Sequence, residues 1–252
     1  MKYFAKIKYL GTDFHGFQVQ PNKRTVQGEL SRAFCEYFGS NTSITGCSRT
    51  DAKVHANEFC ITVENDAATV PPEKLPLAIS KFLPNDISLF LAKECDSGFH
   101  PRYDVVSKEY LYRINNASVN DPFLYNRAWH LPRKIDERGI EKMCMAANHF
   151  VGKHDFCTFM AEGSSVVDTV REVYSLSVIK SDDIIEIRIC ANGYLYNMVR
   201  IIVGTLIEVA FGRILPEQIP NIILSKNRAL AGPTAPPDGL YLNKVTYPFD
   251  KT

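Results

Sequence analysis

The chain has 252 residues, 45% of them hydrophobic, enough to bury a core in one large domain or two small ones. No run of about 18 apolar residues occurs, which excludes a membrane-spanning helix, and the seven cysteines form no Cys-x-x-Cys pair, which points to reduced thiols in a cytoplasmic setting. Lys and Arg total 29 against 28 Asp and Glu, a net charge of +1, so a nucleic-acid partner would require the basic residues to be gathered on one face.

Residues 2–10 read as a first strand, with Tyr3, Ala5, Ile7 and Tyr9 on one face and Phe4, Lys6, Lys8 and Leu10 on the other. Its lysines interrupt the apolar run that a secretion signal needs. Residues 11–21 form a loop. Thr25 is the expected N-cap of a helix over 26–38, whose Val26, Leu30, Ala33, Phe34 and Tyr37 recur at three- and four-residue steps; Gly39 ends it. Two strands follow, 42–47 and 58–64. The second alternates polar Glu58, Cys60 and Thr62 with apolar Phe59, Ile61 and Val63, the period of a half-buried strand. Pro72 opens a helix to about residue 82, Leu83-Pro84-Asn85-Asp86 closes it, and 87–95 is another strand. The order β-α-β-β-α-β is that of a split βαβ unit, an antiparallel sheet with both helices on one side.

The second half repeats the pattern of elements without repeating sequence. Residues 107–114 form a strand with Lys108, Tyr110, Tyr112 and Ile114 on one face. Asp136 caps a helix to about residue 151, with Ile140, Met143, Ala147 and Phe150 as its apolar stripe. A hairpin of 171–179 and 183–190 turns near Ser181-Asp182. A strongly apolar helix, 194–211, is stopped by Gly212; a short helix at 216–225 and a strand at 241–247 follow. The chain thus divides into an N-terminal α+β half, 1–105, and a C-terminal α+β half, 106–252, with mainly antiparallel sheets.

Between the strands at 42–47 and 58–64 lies Gly46-Cys47-Ser48-Arg49-Thr50-Asp51-Ala52-Lys53-Val54-His55-Ala56. Loops held by strands concentrate binding and catalytic groups. By spacing alone the stretch is a polar hairpin with Asp51 in a turn hydrogen bond. An Asp has an ordinary pKa near 3.9 and is ionised at neutral pH; placed in a cleft, its charge needs a partner. The helix 194–211 offers Arg200 on a narrow polar stripe of Asn197, Arg200, Gly204 and Glu208. Arg200 and Glu208 stand two turns apart, about 12 Å along the axis, too far to satisfy each other. Arg200 is therefore expected to pair with Asp51, the alternative being backbone carbonyls or solvent. Tyr110 with its neighbour Lys108 suits stacking on an unpaired base and contact with phosphate, the alternative being a sheet tyrosine packed on a helix. Arg49 and Lys53 are further candidates for RNA contacts, or else solvated loop charges. His15 and His55 read as structural. His149 and His154, five apart, do not share a helix face, so no metal site is expected, and no glycine-rich phosphate loop implies a nucleotide cofactor.

The stretch GCSRTDAKVHA at 46–56 resembles the RTDAGVHA signature of the pseudouridine synthase A (TruA) family of tRNA-modifying enzymes. Four more stretches are similar to that family, in the same order: YLGTDFHGFQ at 9–18, FHPRY at 99–103, YNMVRIIVG at 196–204 and AGPTAPPDGLY at 231–241. The resemblance implies the pseudouridine synthase fold, two split-βαβ halves with joined sheets and a cleft between them. It also implies a cofactor-free isomerase that converts uridine to pseudouridine in the anticodon stem-loop of tRNA, at nucleotides 38–40. Its setting would be a cytoplasmic homodimer in which one tRNA touches both copies. Asp51 would be the nucleophile or a base at the sugar, Arg200 the group that keeps it ionised and aimed, and Tyr110 the ring stacked on the base. Arg49, Lys53 and Lys108 would contact the RNA. The chain departs from the family pattern at Lys53, where Gly is usual, and at Cys47-Ser48, where Ala-Gly is usual. Lys adopts a positive φ less readily than Gly, so the loop conformation is the expectation most exposed. Two other readings stand: a non-catalytic RNA-binding module, and a hydrolytic glycosidase, which would normally need a second carboxylate.

Overall fold

The computed structural model describes residues 1–40, 42–163 and 166–250. In chain order the elements are β1 (Lys2–Tyr9), α1 (Val26–Phe38), β2 (Ser43–Gly46), β3 (His55–Glu64), α2 (Leu75–Ile79), β4 (Ile87–Glu94), β5 (Ser107–Asn115), β6 (Trp129–His130), α3 (Glu137–Asn148), β7 (Gly152–Asp155), β8 (Val170–Ser181), β9 (Ile184–Ala191), α4 (Met198–Ala210), α5 (Ile219–Leu224) and β10 (Leu240–Thr246). The fold class is α+β with mainly antiparallel sheets, as expected. Two compact units contain these elements: residues 1–106 together with those from 241 onward, and residues 107–240.

In the first unit the strand order is β4-β1-β3-β2, that of a split βαβ fold. Thr25 caps α1, its Oγ1 accepting the Gly28 N–H at 3.3 Å, and Gly39 ends the helix with φ 66°. β2 and β10 share one edge of β3. β2 runs antiparallel along its end, Ser43 opposite Glu64, and β10 runs parallel to its start, Tyr241 opposite His55. That pairing draws the strand at 241–247, read from sequence with the second half, into the first unit. β3 is not half-buried: Cys60 and Thr62 are as deeply buried as Phe59 and Ile61. The cover on that face is an aromatic cluster of Phe4, Phe99, Tyr247 and Phe249, with Phe4 opposite Thr62 in register. Burial accordingly pushes the Cys60 thiol far up from its ordinary pKa. The helix expected over 72–82 is shorter, a 3-10 turn at Pro72–Lys74 followed by α2. The Ser80 hydroxyl donates to the Leu77 carbonyl at 2.7 Å, a local bond that competes with continued helix.

In the second unit β5, β9, β8 and β7 form an antiparallel sheet in that order, and β6 adds to β5 in parallel. Asp136 caps α3, accepting the Gly139 N–H at 2.8 Å. Ile140, Met143, Ala147 and Phe150 are buried as expected; Ile185, Ile187 and Ile189 of β9 are also buried. The hairpin turns through Asp182 at φ 53°. α4 starts at Met198 rather than 194, because Asn197 sits in the left-handed region at φ 59°, which a helix cannot run through. β6 and β7 were not expected; strands so short show no alternation to read.

Candidate active site

The loop 47–54 connects β2 to β3 and lies on the segment 11–17. Two glycines make that approach possible. A Cβ on Gly11 would stand 2.0 Å from the Val54 carbonyl oxygen, and one on Gly16, at φ 89°, 2.6 Å from the Thr50 oxygen. Two backbone bonds and one to a side chain then close the contact in both directions. Phe17 donates to Thr50 at 3.2 Å, Lys53 donates to Phe14 at 3.1 Å, and the Gly11 N–H donates to Nδ1 of His55 at 2.9 Å. His55 is fully buried and stacks on Tyr241 with centroids 4.6 Å apart, so it is a structural residue, as expected.

Within this frame Thr50 is buried and its hydroxyl pairs with the Tyr9 hydroxyl at 2.8 Å. The next residue, Asp51, is half-buried. Its carbonyl accepts the Val54 N–H at 3.2 Å, and Lys53 takes φ 68° while Ala52 stays at negative φ. A turn closed by that bond, with a positive φ only at its third residue, is type II, whose third position favours glycine. Lys53 therefore adopts the glycine conformation in spite of its side chain. The carboxylate is thus carried between a pinned residue and a tight turn, which fixes its backbone on both sides. Arg49 and Lys53 are exposed on the same loop. Farther out, Arg24 braces the segment: its guanidinium lies 4.2 Å from the Phe14 ring centroid and forks onto Asp86 at 2.7 and 3.0 Å.

The remaining candidates belong to the second unit. Tyr110 on β5 is 7% exposed and meets Tyr194 edge to face, centroids 4.9 Å apart. The Tyr194 hydroxyl lies within donating distance of the carbonyls of Lys108, 2.9 Å, and Ile189, 2.7 Å, and burial raises its pKa well above the phenol range. Arg200 on α4 donates from Nε to the Ala235 carbonyl at 2.7 Å and from Nη1 to Asn197 Oδ1 at 2.8 Å. Both acceptors are neutral and orient the guanidinium without neutralising it. Its charge acts on Tyr112, whose pKa burial drives up and Arg200 pulls back. The stripe seen in the sequence is not one polar surface. Glu208 pairs with Arg213 at 3.0 Å, and Gly204 is a packing residue: a Cβ there would lie 1.7 Å from the Pro233 oxygen. Beside it the Thr205 hydroxyl accepts the Gly232 N–H at 2.9 Å. Residues 204–205 thereby dock the segment 231–236, which supplies the carbonyl that holds Arg200. A backbone carbonyl was among the alternatives expected for Arg200, and Ala235 supplies it; Asn197 was not foreseen as a second holder, because its left-handed conformation leaves no local signal. Among the described residues no cluster of three or more His, Cys, Asp or Glu could hold a metal ion, and no helix is long and apolar enough to cross a membrane.

Compared with models of protein families, residues 5–104 and 146–248 match the one described as tRNA pseudouridine synthase. The chain belongs to that family. It is 44% identical over 241 residues to tRNA pseudouridine synthase A of Thermoanaerobacter sp. (strain X514), covering 96% of this chain and 97% of the relative. It is 41% identical over 249 residues to tRNA pseudouridine synthase A of Bacillus pumilus (strain SAFR-032), covering 98% and 99%. Arg49, Asp51, Lys53 and Arg200 fall inside the stretches matched by the family model, whereas Lys108 and Tyr110 lie between them.

Proposed function

We propose that this isomerase converts uridine to pseudouridine in the anticodon stem-loop of tRNA, at nucleotides 38 to 40, with Asp51 as the nucleophile. Action on tRNA uridines follows from family membership. The observation that carries the role of Asp51 is its loop: a half-buried carboxylate between Thr50, tied to Tyr9, and a type II turn kept even with Lys53 at the glycine position. In the reaction the N1–C1′ bond breaks, the detached uracil turns, and a C5–C1′ bond forms. C5 loses a proton and N1 gains one, so nothing is oxidised, no group leaves, and the stoichiometry requires no cofactor. A carboxylate serves such a reaction by attack at C1′, by attack at C6, or by taking the C2′ proton. Arg200 would hold Asp51 ionised and aimed, and Tyr110 would stack on the base once it leaves the RNA stack. Lys108, Arg49 and Lys53 would meet the RNA backbone. The chain would act as a cytoplasmic homodimer, which would let two copies of a chain with a net charge of only +1 build one basic groove for a tRNA.

The test is incubation with unmodified tRNA transcripts and mapping of pseudouridine by position. Pseudouridine is expected in the anticodon arm with the wild-type chain. With Asp51→Ala its formation should fall roughly 10³-fold or more while tRNA affinity stays within about threefold. Unaltered anticodon-arm uridines with wild type, or an active Asp51→Ala, would overturn the assignment. Free uracil with an abasic RNA product would mark a glycosidase instead.

A further inference from the structure

A cavity of about 230 Å³ in the first unit opens beside the Asp51 loop. Buried Phe17 forms its floor, stacked on Phe59 with centroids 4.3 Å apart. Gly46 admits that ring, since a Cβ there would lie 2.5 Å from it. Arg49 lines it, and so do His100, Arg102 and Tyr103, from a segment that the isomerase reading leaves without a role. The segment 100–104 is a self-held turn. Asp104 accepts the His100 N–H at 2.7 Å, and Nδ1 of His100 accepts the Arg102 N–H at 3.1 Å. The His100 ring lies 4.3 Å from that of Tyr103, and the Arg102 guanidinium 5.9 Å from the same ring. Tyr103 is nonetheless 74% exposed, so a large ring is supported from behind and presented to solvent.

The volume is below the roughly 300 Å³ at which whole-ligand pockets begin, which suits one planar group rather than a complete small molecule. A presented aromatic ring sharing one cavity with two arginines is the chemistry that holds single-stranded nucleic acid, base on ring and phosphate on cation. Position adds a constraint. Arg49 is two residues from Asp51, so their Cα atoms are at most about 7 Å apart. That distance spans about two stacked nucleotide steps of roughly 3.4 Å. We propose that this cavity binds a nucleotide one or two positions from the target uridine, its base on Tyr103 and its phosphate between Arg49 and Arg102. The proposal rests on the isomerase reading for the identity of the target.

A protein–RNA cycle tests it, with affinity for an anticodon-arm RNA read by fluorescence anisotropy. Tyr103→Ala should weaken binding about 10- to 100-fold, while Tyr103→Phe, which keeps the ring, should bind as wild type. An RNA abasic at one of the positions flanking the target should lose as much with wild type and nothing further with Tyr103→Ala. Arg102→Ala should lower the slope of log affinity against log salt by about 0.7. Wild-type affinity in Tyr103→Ala, losses that multiply at every flanking position, or no binding at all would overturn the proposal. Pseudouridine formation by wild type on the intact RNA is scored separately, so the isomerase reading and the cavity assignment fail independently.

Discussion

Lys53 occupies a conformation that an L side chain takes at a cost of about 1–2 kcal/mol, φ 68° at the third position of a type II turn. Glycine takes it without strain but loses more chain entropy on folding, roughly 0.5–1 kcal/mol. The first effect is the larger, so Lys53→Gly is expected to stabilise the chain by up to about 1 kcal/mol, raising its urea midpoint. A lowered midpoint would show that the turn carries no strain. The same substitution deletes an exposed cation beside Asp51, so tRNA affinity should fall and its salt dependence flatten. Stability and binding therefore move in opposite directions at this residue. Asp51 and its flanking charges could be read from sequence because they sit on one short stretch. Their supports could not: the Thr50–Tyr9 bond, the two glycine approaches and the His55–Tyr241 stack join residues far apart in the chain.

At the scale of elements, α4 shows how a helix can be read correctly in kind and wrongly in use. Exchanging a helix-interior Gly for Ala at an exposed position gains about 1 kcal/mol. At Gly204 the new methyl would meet the Pro233 oxygen at 1.7 Å, and overpacking of a tight contact costs about 1–3 kcal/mol. The clash should win. Gly204→Ala is expected to lower the unfolding midpoint and to reduce turnover by displacing the Ala235 carbonyl from Arg200; a more stable, fully active variant would refute the docking role. On the second sheet, burial works to raise the Glu186 carboxyl pKa, but hydrogen bonds from Arg188 at 2.8 Å and Arg113 at 3.0 Å outweigh it and hold the value below the usual range. A lowered folded value means stabilisation that is full above about 4.3, the ordinary glutamate value, and lost as pH falls through the folded one. Glu186→Gln should thus be about 0.5–1 kcal/mol less stable than wild type near pH 7, with the two curves converging in acid. A gap independent of pH would exclude the ionic origin. The helices with caps were the most legible elements: Thr25, Gly39 and Asp136 write their boundaries locally. α2 and the start of α4 were not, because a serine side-chain bond and a left-handed asparagine override the periodicity.

At the scale of the whole chain, the order of elements in the first half was legible because each strand and helix carries its own period. The burial of both faces of β3 was not, since its cover arrives from Phe99, Tyr247 and Phe249, remote in sequence. The charge total, near zero, conceals how the charges are distributed, and no composition argument recovers it.

The parallel pairing of β10 with β3 makes the second unit an insertion within the first. During synthesis on the ribosome, domains fold as they emerge, the N-terminal one usually first. Here the earlier unit cannot finish early: the partner ring of His55 and two of the four rings of the aromatic roof over β3, Tyr247 and Phe249, are still untranslated when residue 240 is added. The nascent loop that bears Asp51 therefore acquires its last supports only after the intervening 107–240 unit has been made, which ties assembly of the candidate catalytic loop to the synthesis of β10 and the residues just after it.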